Sequence, residues 1–324
     1  MTPRISVIIP TYQRPELLRK CLDALAQQTL PPEQFEVLVV DDGDEPQTAL
    51  AVRRAVQETG LAIRYLAQPV RRGPAAARNR GWRVALSSLI AFTDDDCIPD
   101  SNWLKAALAG FDQGASVLTG QLTMPLPANP TAHDRTTALL ETAEFITANL
   151  FCRRSALEAV GGFDEAFDSA WREDSELQFK LLRIGIPITP CPEAVIVHPM
   201  RPAPWYAPLR DERKNRYDAL LYRKHPDLFR QRIPTYSSLV RRYYLTVSAV
   251  LVSGMAAVAG QWTMVSAGMG VWGLLTVVLL AEQLARQTLT GQRVGQALVL
   301  SVATPFLSVY WRIYGAVKYR ALYL

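Results

Sequence analysis

Residues 243–280 form a continuous stretch without a single charged side chain. One transmembrane helix needs about 20 apolar residues, so this stretch is too long for one ordinary span and about right for two. Gln261, Trp262 and Thr263 supply a polar turn between residues 244–260 and 264–280. The sequence therefore predicts a short transmembrane hairpin. The alternative is a buried hairpin in a soluble domain, and charge-free runs of this length are rare in soluble cores.

The charges around this stretch support membrane contact. From Arg241 onward the chain carries seven basic residues and one acidic residue, and because the whole chain has a net charge of +5, the part before residue 241 is close to neutral. The positive charge therefore indicates contact with anionic lipid headgroups and not a nucleic-acid partner. Arg242 before the hairpin, and Arg286 and Arg293 after it, predict that both of its ends face the cytoplasm.

A third apolar segment covers about residues 297–317 and contains Pro305, at which we expect it to break. Arg312, Lys318 and Arg320 follow its most apolar part. A full crossing would carry these charges to the far side of the membrane. The sequence therefore predicts an interfacial or re-entrant segment here.

Strand signals and helical periodicity alternate along the first part of the chain. Strand signals fall at residues 5–9, 35–40, 63–66 and 89–92, and helical periodicity falls at 16–28, 48–59, 73–86 and 101–110. This alternation predicts an α/β fold with a mostly parallel central sheet and helices on both faces. In such sheets ligands bind at the carboxyl ends of the strands.

The rest of the chain divides by composition. Residues 121–134 are rich in proline and polar residues and predict a mobile loop, and Asp100 is a candidate cap for the helix 101–110. We expect residues 1–115 and 116–200 to form the two halves of one α/β domain. We expect residues 201–240 to form amphipathic basic helices and residues 241–324 to form a membrane region. The apolar run near the N-terminus is too short for a signal peptide, and four cysteines without CxxC spacing exclude common zinc motifs.

Two acidic clusters follow predicted strands. Asp41 and Asp42 end one strand, and Asp94, Asp95 and Asp96 end another. Adjacent carboxylates repel one another unless a cation offsets their charge, and Mg²⁺ or Mn²⁺ held by one or two carboxylates commonly binds the phosphates of a substrate. The alternative for each cluster is a solvated turn, which Asp-Gly also favours.

Other candidate residues lie apart in the sequence. Glu173 and Asp174 precede a predicted helix, where a carboxylate serves either as a cap or as a general base. Arg78 lies on a predicted helix that begins with Gly-Pro. Its side chain either binds a phosphate or belongs to a solvated basic face of the helix. His198 follows an apolar run and is either a metal ligand or a structural histidine.

Taken together, these segments resemble glycosyltransferase family 2, whose catalytic domain has the GT-A fold. The resemblance covers about residues 4–200, and although each motif is loose, their order and spacing are specific. The motifs are SVIIPTYQRP at 6–15, VVDDG at 39–43, GPAAARNRG at 73–81, FTDDD at 92–96, VGGFDEAF at 160–167 and REDSEL at 172–177.

The resemblance implies a role for each candidate. It places Asp174 as the general base of an inverting sugar transfer from a nucleotide diphosphate. It also implies that the donor nucleotide contains uridine. It places Asp96, with His198, at a divalent metal ion, Mn²⁺ or Mg²⁺. The remaining residues are expected to line the nucleotide pocket or approach ribose and phosphate: Pro10, Tyr12, Arg14, Asp42, Arg78, Asp94 and Asp95.

The sequence also departs from the family pattern. The nucleotide turn reads Asp-Asp-Gly-Asp where Asp-Asp-Gly-Ser is commoner, and the absence of QxxRW favours single transfer over chain extension. We expect a lipid-linked or membrane-delivered acceptor and a catalytic domain in the cytoplasm. Two other functions compete: a sugar-nucleotide pyrophosphorylase, which lacks support because no GxGxR loop follows the first strand, and a catalytically inactive, membrane-tethered nucleotide-sugar-binding module.

Overall fold

The computed structural model describes residues 2–234, 237–285 and 288–323, so the predicted topological marker Arg286 lies outside the described residues. The chain divides into two compact units. The sheet unit contains the residues up to Pro125 together with Ala138–Met200. The helical unit contains Leu126–Thr137 and the residues from Arg201 onward. The four domain boundaries expected from composition stay predictions.

The sheet unit is built on one eight-stranded sheet in the order β3-β2-β1-β4-β7-β6-β8-β5. The strands are β1 Ile5–Thr11, β2 Phe35–Asp41, β3 Ile63–Ala67, β4 Leu89–Phe92, β5 Ile98–Pro99, β6 Val117–Thr123, β7 Leu150–Arg153 and β8 Ile188–Val197. Strands β3, β2, β1 and β4 are parallel, whereas β7 runs antiparallel to both of its neighbours. The α/β class is confirmed, with a mixed sheet.

Thirteen α-helices occur among the described residues. Those of the sheet unit are α1 Pro15–Ala26, α2 Pro46–Thr59, α3 Pro74–Val84, α4 Trp103–Asp112, α6 Arg154–Val160 and α7 Glu173–Arg183, and α5 Ala132–Ala138 lies in the helical unit except for its last residue. Those of the helical unit are α8 Ala207–Asp211, α9 Arg216–Lys224, α10 Pro226–Arg232, α11 Ser238–Val258, α12 Trp262–Leu284 and α13 Gly291–Lys318. The first three helices each begin with a proline in the first turn, where its missing N–H costs no hydrogen bond.

Helices cover both faces of the sheet. Along β1, Val7 and Ile9 belong to one buried cluster and Ile8 belongs to the other, because successive side chains of a strand point to opposite faces. The register pairs Thr11 at the end of β1 with Asp41 at the end of β2, and β4 ends close to the same edge. The two predicted acidic clusters therefore emerge at one edge of the sheet.

Three local expectations differ from the structure. Helix α4 begins at Trp103, and Asp100 accepts a hydrogen bond from the Asn102 backbone N–H (2.9 Å) in the turn before the helix. The predicted loop 121–134 is partly regular, because β6 continues to Thr123 and α5 begins at Ala132. Pro305 lies inside the continuous helix α13 and does not break it.

Two helices of the helical unit, α12 and α13, are long and apolar enough to cross a membrane, judged by length and composition. The predicted hairpin corresponds to α11 and α12, which pack against each other, and of these two helices α12 alone meets that measure. Arg242 and Glu282 form an ion pair of 2.6 Å and place the start of α11 beside the end of α12. This is the geometry of a hairpin whose two ends lie on one side.

Helix α3 lies very close to the sheet at Gly81. A Cβ atom at this position would lie 2.4 Å from Ile8 Cγ2 and 3.2 Å from Val40 Cγ2. We predict that Gly81→Ala lowers the free energy of unfolding by about 1–3 kcal/mol, because the added methyl must push α3 away from the sheet. The measurement is denaturation in detergent, and the control is Val84→Ala on the same helix. An alanine at 81 that changed stability no more than the control would show that α3 has room to move.

Candidate active site

The aspartate triplet follows β4, and its middle residue points inward. Asp95 is 2% exposed. Its carboxylate accepts a hydrogen bond from the Thr11 hydroxyl (2.8 Å) and pairs with Arg14 (3.3 Å). Burial raises the pKa of Asp95 to about 6, with the Arg14 charge acting in the opposite direction. Asp95 thus ties the turn after β4 to the end of β1.

Arg78 joins the triplet to the second acidic pair. Its guanidinium donates to Asp94 (2.6 Å) and to Glu173 (3.2 Å), and the residue is 2% exposed. Burial opposes the charged form, but the Asp94 and Glu173 carboxylates together raise the pKa of Arg78 and keep it protonated. One buried guanidinium therefore joins the triplet to the start of α7 within the sheet unit.

The third aspartate lies beside the predicted histidine. Asp96 Oδ1 is 3.4 Å from His198 Nε2, and both residues are buried. One ligand atom each from Asp96, Cys97 and His198 lie within 4.8 Å of one another. A carboxylate oxygen and an imidazole nitrogen at this spacing fit a divalent cation such as Mn²⁺. The predicted metal pair is thus brought together, and Cys97 is a neighbour that the sequence analysis did not single out.

Asp41 and Asp42, the first acidic pair, hold neighbouring segments of the protein in place through hydrogen bonds. Asp42 accepts hydrogen bonds from the Gln68 side chain (2.8 Å), the Arg72 backbone N–H (2.7 Å) and the Gly73 backbone N–H (2.7 Å). Asp41 accepts from the Tyr65 hydroxyl at 2.7 Å. Asp42 therefore fixes the segment that leads into α3, and its expected contact with a nucleobase stays a prediction.

The other residues expected around the nucleotide lie at the ends of β1 and β2. Pro10 is buried within β1, one residue before Thr11. The Arg71 guanidinium lies 4.2 Å from the centre of the Tyr12 ring, a cation–π distance. Gly43 approaches the same ring so closely that a Cβ atom there would lie 2.8 Å from it. Tyr12 thus forms a partly open wall beside the Asp42 turn, and an aromatic ring there suits stacking on a base.

Glu173 and Asp174 form the first turn of α7 and do not cap it. The residue before them, Arg172, has φ of 72°, a left-handed conformation that costs energy for a residue with a side chain. Glu173 is buried, whereas Asp174 is half-buried and accepts from the Ser175 backbone N–H at 2.6 Å. Glu173 pairs with the Arg78 guanidinium, whereas Asp174 is the less buried carboxylate of the two.

The environment changes the proton affinity of both carboxyl groups. Burial, and then the charge of Asp174, raise the pKa of Glu173 to about 7. Burial also raises the pKa of Asp174, and the Ser175 N–H opposes this shift. A carboxylate with a raised pKa binds a proton more strongly, which is the property that a general base needs.

Asn79 connects α3 to the segment 161–168. Its amide nitrogen donates to Phe163 O (2.8 Å) and Glu165 Oε1 (2.9 Å), and its oxygen accepts from the Phe163 N–H and the Trp82 indole N–H, both at 2.9 Å. Gly73 supports this contact, because a Cβ atom on it would lie 2.4 Å from the Asp168 backbone oxygen.

The structure gathers most of the predicted residues, and it adds some that the sequence analysis missed. Asp94, Asp95, Asp96, Arg78, Asp174 and His198 all belong to the sheet unit, at or next to the edge formed by β1, β2 and β4. The roles of Glu173, Thr11 and Asn79 were not foreseen. The alanine-rich pattern of 75–77 was an available signal for Asn79, since it marks the face of α3 that packs inward.

Removing the Arg78 bridge tests this geometry. We predict that Arg78→Met costs about 3 kcal/mol of unfolding free energy at pH 8, because two carboxylates lose their counter-charge in a poorly solvated cleft. The pKa of Glu173 is higher in the folded protein than in the unfolded chain, so the folded protein binds the extra proton below pH 7. The free energy of unfolding therefore falls as the pH rises toward 7. The loss in the variant should therefore shrink at pH 5.5. The measurement is the melting temperature at both pH values.

The matched control is Arg83→Met, on the same helix. Arg83 is half-exposed and pairs with Glu165 at 3.5 Å, so its loss should cost less than about 1 kcal/mol at either pH. Equal effects of the two substitutions would contradict a buried bridge at Arg78.

Comparison with known proteins identifies the family. Residues 6–163 match the family model described as glycosyl transferase family 2. The glycosyltransferase AglE of Haloferax volcanii is 30% identical over 210 residues, which cover 62% of this chain and 68% of that protein. The chain spans between 49% and 68% of the length of the curated relatives that it matches best.

Solved structures show the same fold. A mannosyltransferase from Pyrobaculum calidifontis in complex with GDP-Man and Mn²⁺ is 21% identical, with a TM-score of 0.62, and the match covers 99% of this chain and 88% of that one. Residues 1–349 of Staphylococcus aureus TarS with UDP-GlcNAc give a TM-score of 0.53 at 18% identity, covering 99% and 93%. The sheet unit therefore has a GT-A-like fold, and the chain belongs to glycosyltransferase family 2.

Proposed function

We propose that the chain is an inverting, metal-dependent glycosyltransferase that moves a sugar from a nucleotide diphosphate to a membrane-associated acceptor hydroxyl. The observation that carries this proposal is the Arg78 bridge between Asp94 and Glu173. It brings the aspartate triplet, suited to the donor, next to Asp174, suited to the acceptor. Donor and acceptor carboxylates in one cleft are what a direct displacement requires.

Asp174 is the proposed general base. Its carboxylate takes the proton of the acceptor hydroxyl as the hydroxyl oxygen bonds to the anomeric carbon and the bond to the diphosphate oxygen breaks. Because attack and departure occur on opposite faces of the sugar, the anomeric configuration inverts. Ser175 holds one oxygen of Asp174 in place during this step.

Asp96 and His198 are the proposed metal ligands. Their 3.4 Å approach, both side chains being buried, provides one oxygen and one nitrogen donor toward the cleft. A bound Mn²⁺ or Mg²⁺ would offset the charge of the departing diphosphate. Asp94, the more exposed of the two, would then approach ribose and phosphate, and the buried Asp95 would act beside it through Thr11 and Arg14. Arg78 and Arg14 limit the repulsion among the three carboxylates.

The donor is a nucleoside diphosphate sugar. The wall formed by Tyr12 and the ordered segment behind Asp42 supports a base-stacking site. Uridine is the base that we propose from the family resemblance. A guanosine donor is the competing case, since the two similar structures contain GDP-Man and UDP-GlcNAc respectively.

The acceptor is proposed to be lipid-linked or otherwise delivered at the membrane. Helices α11 and α12 would form the hairpin, with the Arg242–Glu282 ion pair at its cytoplasmic end. The catalytic domain would then lie in the cytoplasm, and the basic residues of 201–240, such as Arg210 and Arg213, would face the headgroups. A catalytically inactive nucleotide-sugar-binding module is the alternative function.

Substitution of Asp174 separates the two functions. We predict that Asp174→Asn cuts turnover by about 100-fold or more and leaves donor binding nearly unchanged, because only the proton acceptor is lost. The measurement is release of nucleoside diphosphate from uridine- and guanosine-linked sugars. The control is Asp112→Asn, at an exposed position on the far end of α4. Normal turnover in Asp174→Asn would refute the assignment of Asp174 as the general base. Donor binding by the wild type without turnover of any donor would favour the catalytically inactive binding module.

Substitution of Asp96 tests the metal site. We predict that Asp96→Ala and His198→Ala each weaken Mn²⁺-dependent donor binding by about tenfold or more, because each removes a proposed ligand. The measurement is the thermal shift with nucleotide sugars, with and without Mn²⁺. A shift that was unchanged in both variants, or that required no metal in the wild type, would contradict this assignment.

A further inference from the structure

Helix α13 has the length and composition of a membrane span, yet its C-terminal half is bound to helices that precede the hairpin. Arg312 lies 3.6 Å from Asp218 of α9, and both side chains are at least nine-tenths buried. Further along, a Cβ atom on Gly315 would lie 2.5 Å from the Arg216 backbone oxygen, and Arg223 donates to Tyr319 O at 3.1 Å. Residues 312–319 therefore run along α9.

This contact places the C-terminal half of α13 on the side from which α11 begins. Helices α9 and α10 lead directly into α11, so they lie on the near side of any membrane that α11 enters. Helix α13 also packs against α11 and α12. The Arg242–Glu282 ion pair closes the hairpin at the end where α11 begins.

The other end of α13 is on the same side. Thr288, just before the helix, lies 3.5 Å from the Asn129 side chain. Asn129 belongs to the segment Leu126–Thr137, which the chain joins to the sheet unit at both of its ends. A segment tied twice to the sheet unit cannot lie across a membrane from it.

A helix of 28 residues is about 42 Å long. With both of its ends on one side, it cannot cross the bilayer, and the remaining arrangement is in the plane of the surface. We propose that α13 is an in-plane helix whose outer face binds the headgroup and acyl boundary of the anionic leaflet that the hairpin enters. This proposal rests on the membrane anchoring proposed above.

The two faces of α13 fit this position. The inner face is buried against protein and consists mostly of small or polar residues, with one valine: Ala297, Ser301, Thr304, Pro305, Ser308, Val309, Arg312 and Gly315. The outer face carries exposed apolar residues in the first and last thirds of the helix: Val294, Leu298, Val299, Tyr310, Ile313, Tyr314 and Val317. An apolar outer face over a packed polar one is expected where lipid, and not water, is the neighbour.

The last turns of α13 carry the features of a membrane interface. The rings of Tyr310, Trp311 and Tyr314 lie within 5.1–6.3 Å of one another, and Lys318 lies 5.9 Å from the Tyr314 ring. Tyrosine and tryptophan concentrate at the headgroup level, and basic residues there attract anionic lipids. These residues argue for a lipid surface in preference to a protein partner.

Thiol labelling with a membrane-impermeant maleimide tests this topology. The four native cysteines are buried, so they give little background. Three single substitutions at exposed positions report on the start of α13, its end and the hairpin turn: Gln292→Cys, Leu322→Cys and Gln261→Cys. We expect Gln292→Cys and Leu322→Cys to react only in inverted membrane vesicles. We expect Gln261→Cys to react only in spheroplasts, where the outer side of the membrane is accessible.

The outcomes separate the two proposals. Reaction of Leu322→Cys from the side opposite to Gln292→Cys would show that α13 crosses the membrane, and would overturn the in-plane helix alone. Reaction of all three positions from one side would show that the hairpin does not cross, and would overturn the anchoring on which this proposal rests. Size-exclusion profiles of each variant in detergent confirm that it is folded.

A fourth variant tests the lipid contact itself. Leu298→Cys, on the outer face, should react at least tenfold more slowly than Gln292→Cys in vesicles of purified protein with anionic phospholipid. After denaturation the two rates should become equal. Because no other protein is present in these vesicles, equal rates before denaturation would show that lipid does not cover this face.

Discussion

The arrangement of the site depends on one buried positive charge. Arg78 lies between Asp94 and Glu173, and the two carboxylates would otherwise repel each other in a cleft that excludes much of the water. The bridge needs α3 to lie close to the sheet, and Gly81 provides this closeness because any larger residue would meet Ile8 and Val40. Arg78 and Gly81 are three residues apart on the same face of α3, so close packing at one position supports the ion pairs at the other.

The same interaction links the two substrates of the proposed reaction. Asp94 lies in the turn that also carries Asp95 and Asp96, and Glu173 is adjacent to Asp174. Movement of the donor-side turn would therefore change the charge environment of the acceptor-side carboxylates. The left-handed backbone at Arg172 adds rigidity, because the strain is tolerated only while the surrounding contacts hold it.

Much of this architecture follows from local sequence patterns. The short apolar strand signals alternating with helical periodicity predicted the parallel half of the sheet, and the ordered series of motifs predicted the family. Contacts between distant segments were not accessible in this way. The Asp42 carboxylate accepts three donors from the segment 68–73, and no local pattern reveals these contacts. Pro305 was expected to break a helix, and the packing around α13 maintains it.

Asn79 shows how narrowly one position can be constrained. Both of its amide hydrogens and both acceptor sites of its oxygen are used, by Trp82 of the same helix and by the segment 161–168. Aspartate has the same shape but lacks the hydrogens, and glutamine has the hydrogens but is one methylene too long for the cavity beside Gly162. Either substitution would leave a buried donor or acceptor without a partner, at a cost of about 1–3 kcal/mol. This one side chain therefore couples the folding of α3 to the folding of the segment 161–168.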